Sequence, residues 1–62
     1  MKVSELIKEL KAAGCYVVRQ GGNHEIWYSP ITGMKSPVSR HTSQELPSGT
    51  EKSIRKILGI NK

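Results

Sequence analysis

The sequence predicts an α+β domain of order α-β-β-β-α, with a three-stranded antiparallel sheet and two helices packed on one face. Three observations carry that expectation. An apolar stripe at spacings of three and four lies near each end of the chain, β-forming runs punctuated by glycine lie between them, and a length of 62 residues admits one domain spanning 1–62. At this size only about 60% of the unfolded chain's surface becomes buried, so every periodic apolar position is needed in the core.

Val3, Leu6, Ile7, Leu10 and Ala13 form the first stripe. Ser4 is the expected cap of this helix, Glu5 suits the positive end of its dipole, and Gly14 is placed to close it. Cys15 to Gln20 reads as a first strand, followed by Gly21-Gly22 or Gly22-Asn23 as a tight hairpin turn with positive dihedrals. A second strand runs from about His24 to Ser29, and Pro30-Ile31-Thr32-Gly33 reads as another turn. Met34 to Arg40 is the third strand, placed at an edge because Pro37 has no N–H for a sheet ladder.

A polar loop from Thr42 to Pro47 leads to a helix over Gly49 to Ile60, with Ile54, Ile57 and Leu58 as its buried stripe. Ser48 and Glu51 have the spacing of a capping box, and Gly59 ends the pattern. Lys52, Arg55 and Lys56 fall away from the stripe and are expected to face solvent. With no Phe in the chain, the core is expected to combine Leu, Ile and Val with Trp27, Tyr16 and Tyr28, and Cys15 is expected to be a small buried apolar residue.

Ten Lys and Arg face five Glu and no Asp, a net charge of +5 that favours a polyanionic partner. Two-metal phosphoryl transfer draws on clustered carboxylates, and the glutamates here are scattered, so no metal or other cofactor is expected. A lone Cys offers neither a disulfide framework nor a cysteine-rich zinc site. No run approaches the roughly 18 apolar residues of a membrane span, and the start lacks a signal-peptide pattern, which makes the cytoplasm the default location.

His24 is the leading candidate for chemistry. It follows Gly21, Gly22 and Asn23, small residues that admit close approach by a ligand, and it heads a strand that would fix its position. Imidazole exchanges protons near neutral pH, and cleavage of RNA by attack of the 2′-OH on the adjacent phosphate needs such a base or acid and no metal. Arg40 and His41 form a second pair suited to clamping a phosphate or completing the proton transfer. Arg19, Lys35, Lys52, Arg55 and Lys56 are candidates for backbone phosphates. On residues alone a ribonuclease, a non-catalytic RNA-binding module and a protein-interaction module all stand, as does an ordinary surface histidine.

The chain resembles the HicA family of mRNA interferase toxins in several segments, in order. These are Leu10-Lys11-Ala12-Ala13-Gly14, Val18-Arg19-Gln20-Gly21-Gly22-Asn23-His24, Pro37-Val38-Ser39-Arg40-His41 and the run from Pro47 to Leu58. The resemblance implies a double-stranded-RNA-binding-domain-like fold and messenger RNA as substrate. It also places the catalytic histidine at His24, the conserved glycine at Gly22, the arginine-histidine pair at Arg40 and His41, and the glycine-threonine of the last helix at Gly49 and Thr50. It further implies a HicB antitoxin that covers the active site and makes any contact with operator DNA. Asn23 stands where the family usually has serine, and Ser39 where it usually has proline. Asn23 retains polarity and turn capacity, and Pro37 is close enough to compensate for Ser39.

Overall fold

In a computed structural model that describes residues 1–60, Val3–Ala12 form α1, Tyr16–Gln20 β1, His24–Tyr28 β2, Lys35–Ser39 β3 and Ser48–Leu58 α2. The strands make one antiparallel sheet in the order β1-β2-β3, which puts Pro37 on an edge strand as expected. The third strand is two residues shorter than Met34 to Arg40. Its weak intrinsic preference is overcome by an unbroken register with β2, from His24 opposite Ser39 to Tyr28 opposite Lys35.

Register fixes the two faces of the sheet. Trp27, Ser36 and Val38 share one face and are buried, whereas His24, Ile26 and Tyr28, with their partners Ser39, Pro37 and Lys35, share the other. Between β1 and β2, Val17 pairs with Trp27 but Arg19 pairs with Ile26, so Val18 is the extra residue of a bulge. That bulge puts Arg19, three residues from Tyr16, on the same face as Tyr16.

The core fills the space between the buried sheet face and both helices. Val3, Leu6 and Leu10 of α1 and Ile54 and Leu58 of α2 meet Trp27 and Val38, with Cys15, Leu46 and Ile60 closing the periphery. Cys15 and Trp27 are thus buried as expected. Tyr16 is not: it is 53% exposed because it pairs with Tyr28 on the face without helices. Leu46 lies in the nominally polar loop, where its side chain plugs the core and its N–H donates to the Met1 carbonyl at 2.9 Å.

Helix ends differ from the expected caps for a tertiary reason. The N–H groups of Val3 and Ser4 donate to the carbonyls of Gln44 and Thr42, both at 3.0 Å, so the distant loop does the work expected of the Ser4 hydroxyl. Ser4 itself lies inside α1, and Lys2 occupies the cap position with its N–H bonded to Glu5 Oε1 at 2.7 Å. In α2 the expected Ser48–Glu51 box is absent. Pro47 takes the cap position without a side-chain bond, and the Glu51 carboxylate turns to Arg55 instead.

Gly14, with φ +89°, follows α1 as its stop, and Gly59, with φ +71°, ends α2. At Gly59 a Cβ would also sit 2.7 Å from Thr32 Cγ2 and 3.1 Å from Ile31 Cγ2. Gly59→Ala therefore combines left-handed strain of about 1–2 kcal/mol with a steric clash. Its denaturation midpoint is expected to fall by the equivalent of about 2 kcal/mol with an unchanged slope.

Candidate functional site

His24 is the first residue of β2 and is exposed at the end of the sheet, directly opposite Ser39 of β3. The connection before it is closed by the Gly21 N–H donating to the His24 carbonyl at 2.7 Å. Neither Gly21 nor Gly22 has a positive φ, contrary to the expected hairpin turn. The loop spreads over residues 21–23, so its curvature is shared and no left-handed residue is required.

Arg40 explains how this loop is held. Its Nη1 donates to the carbonyls of Gly21 at 3.0 Å and Gly22 at 3.4 Å, while its backbone N–H donates to Asn23 at 3.2 Å. The residue expected to clamp a phosphate thus clamps the turn beside His24. Glycine has separate uses here: a Cβ on Gly21 would lie 3.1 Å from the His24 carbonyl oxygen, whereas nothing lies within 4 Å of one on Gly22. Arg40→Gln removes the side-chain clasp at an exposed position, and the midpoint of unfolding should shift by no more than about 1 kcal/mol. Hydrogen exchange at the Gly21 amide should nonetheless accelerate clearly over the parent protein.

Ser39, one of the departures from the family pattern, organises the next segment. Its hydroxyl accepts from the His41 N–H at 3.1 Å and donates to Gln44 Oε1 at 3.4 Å. The Gln44 N–H in turn donates to the His41 carbonyl at 3.1 Å. His41 is exposed at the same end of the sheet as His24.

Surface depressions flank His24 on either side. One, of about 440 Å³, is lined by Arg19, Gly21, Gly22, Asn23, His24 and Ile26 on the helix-free face. The other, of about 290 Å³, runs from His24 past Ser39 and Gln44 to Thr50 in the first turn of α2. A helix start without a side-chain cap keeps amide donors available to an anion. Thr50 was reached from sequence only through the family resemblance, and Gln44 carried no signal, because both depend on how β3 returns the chain to α2.

The cations separate into distinct groups. Arg19 lines the first depression, and Lys35 lies on the same face opposite Tyr28. Lys52 and Lys56 are exposed on α2, away from that face. Arg55 does not face solvent as expected but is half-buried between two carboxylates. Its guanidinium donates to Glu9 at 2.7 and 3.1 Å, to Glu51 at 2.8 Å and to the Ile60 carbonyl at 3.2 Å. Hydrogen bonds to Glu9 and then Glu51 raise its pKa further above the ordinary arginine value. Among the described residues no three His, Cys, Asp or Glu side chains gather as a metal site, and no helix is long and apolar enough to cross a membrane.

An α-β-β-β-α chain with a three-stranded antiparallel sheet, one helix-free sheet face and a net charge of +5 defines a small basic α+β domain. Residues 3–60 match the family described as HicA toxin of bacterial toxin-antitoxin. The chain therefore belongs to the HicA toxin family. Among solved structures it is similar to a chain of the crystal structure of the E. coli HicAB toxin-antitoxin complex. The two are 32% identical with a TM-score of 0.81, over 97% of this chain and 100% of that one. No curated protein sequence matches it.

Proposed function

We propose that this toxin is a metal-independent endoribonuclease acting on messenger RNA, with His24 as its catalytic residue. The observation that carries the reading is the position of His24: exposed, anchored at the start of the central strand, and bordering both depressions. A phosphodiester seated there has imidazole beside it, turn amides on one side and the first turn of α2 on the other.

In the reaction the ribose 2′-oxygen attacks phosphorus while a base takes its proton. The bond from phosphorus to the 5′-oxygen breaks, and an acid returns a proton to that oxygen. The products are a 2′,3′-cyclic phosphate and a free 5′-hydroxyl. His24 performs one transfer, and His41, at the same sheet end, is the candidate for the other. Arg40 acts by fixing the Gly21–Asn23 loop against the substrate.

A HicB-type antitoxin is the proposed partner, as in the complex that contains the similar E. coli chain. It would neutralise the toxin by covering His24, and an acidic contact surface would suit the charge of +5. Contact with DNA is left to the antitoxin. Incubation with single-stranded RNA in excess EDTA tests the enzymatic reading: fragments ending in 2′,3′-cyclic phosphate are expected. Binding without scission would reduce the protein to an RNA-binding module.

A further inference from the structure

The sheet face without helices is a chemically coherent surface that extends from His24 to the far end of the strands. Tyr16 and Tyr28 sit opposite one another on it, ring centroids 5.4 Å apart and planes tilted by 52°, with Tyr16 53% exposed. Arg19 borders the depression at His24, and Lys35 lies beside Tyr28. Among the described residues no carboxylate side chain shares the face. Glu5 and Glu9 are on α1, Glu51 is on α2, Glu25 points to the helix side by register, and Glu45 binds the N-terminal ammonium at 2.7 Å.

We propose that this face is the track for single-stranded RNA flanking the scissile phosphate, with the Tyr16–Tyr28 pair as a base-stacking platform and Arg19 and Lys35 as backbone contacts. The proposal rests on the reading of His24 as the cleavage centre. Tyr28 is four residues beyond His24 on β2, or about 13 Å at the usual strand rise, the span of a few nucleotides. Aromatic faces stack on any base, and they can do so only where bases are unpaired. Charge selects the occupant: cations without carboxylates favour a polyanion over a basic or neutral protein surface.

The test reads binding apart from cleavage by using His24→Ala as the parent and a short, labelled single-stranded RNA of mixed sequence as the probe. Tyr16→Ala with Tyr28→Ala should weaken binding at least about fivefold, as loss of one stacked base does. The corresponding Phe pair should bind like the parent. If the double Ala variant does not fold, Tyr16→Ala alone carries the test, because that ring is largely exposed. Arg19→Gln with Lys35→Gln should lower the slope of log affinity against log salt by about 1.4, at about 0.7 per phosphate contact.

Unchanged affinity in the folded Ala variant overturns the track. So does a loss that appears instead in Lys52→Gln with Lys56→Gln, which would place RNA on the helices. Loss of binding to the HicB antitoxin with RNA binding intact would assign the face to the protein partner. The outcome is separable from the nuclease reading: a protein that never cuts RNA yet binds it through these tyrosines upholds the track, and a nuclease indifferent to them does the reverse.

Discussion

His24→Ala is expected to abolish RNA cleavage while leaving a folded domain that still binds RNA. A positioned proton-transfer group contributes about 10²- to 10⁴-fold to a rate, so the loss should be at least of that order. The structural cost should be small, within about 0.5 kcal/mol for an exposed side chain outside the core. His24→Gln keeps a polar group of similar reach but cannot exchange a proton, and it should be as inactive as alanine. If His41 is the complementary group, His41→Ala should also fall sharply, and the double variant should be little worse than either single one. Single-turnover cleavage, a binding isotherm and a thermal melt on each variant separate these effects. Undiminished formation of 2′,3′-cyclic ends by His24→Ala would remove this histidine from the chemistry.

Much of the fold was legible because it follows from periodicity. The stripes Val3, Leu6, Leu10 and Ile54, Leu58 are the helical contribution to the core, and Pro37 marked its strand as an edge. Signals that depend on distant partners were not legible. Ser4 has the composition of a cap, yet the carbonyls of Thr42 and Gln44 reach the helix start first. Tyr16 has the hydrophobic content of a core residue, but strand parity fixes its face, and parity is set by the bulge at Val18 together with pairing to β2.

The candidate site divides in the same way. Gly21, Gly22, Asn23 and His24 are contiguous and could be read as a unit. Arg40 was recognised as a residue of interest, but its hold on the Gly21 and Gly22 carbonyls required the β2–β3 register. A cation in a sequence is a charge without a partner until the chain folds, which is why Arg55 reads like Lys52 and Lys56 on a helical wheel.

Arg55 is expected to be a stability determinant, and Arg55→Leu should be the more damaging of the variants aimed at α2. Its side chain is 15% exposed and joins α1 to α2 through Glu9, whose side chain is 30% exposed, and Glu51, 24% exposed. Leucine would remove the guanidinium that Glu9 and Glu51 share, at a position partly removed from water, and the donor to the Ile60 carbonyl. Breaking a fully buried pair typically costs about 3–5 kcal/mol. Partial exposure reduces that to about 2–3 kcal/mol here. A domain of this length has a total stability on the order of 3–9 kcal/mol, so the melting temperature should fall by about 10–20 °C. Arg55→Lys should recover only part of the loss, because an ammonium cannot reproduce the fork that holds both carboxylates. Combining Arg55→Met with Glu9→Gln and Glu51→Gln should recover more, since the charges that Arg55 neutralises are removed together with it. Well below its melting temperature, Arg55→Leu should bind single-stranded RNA with the parent's affinity and salt dependence. A variant that melts like the parent but loses about one phosphate contact from its salt slope would instead return Arg55 to the RNA surface.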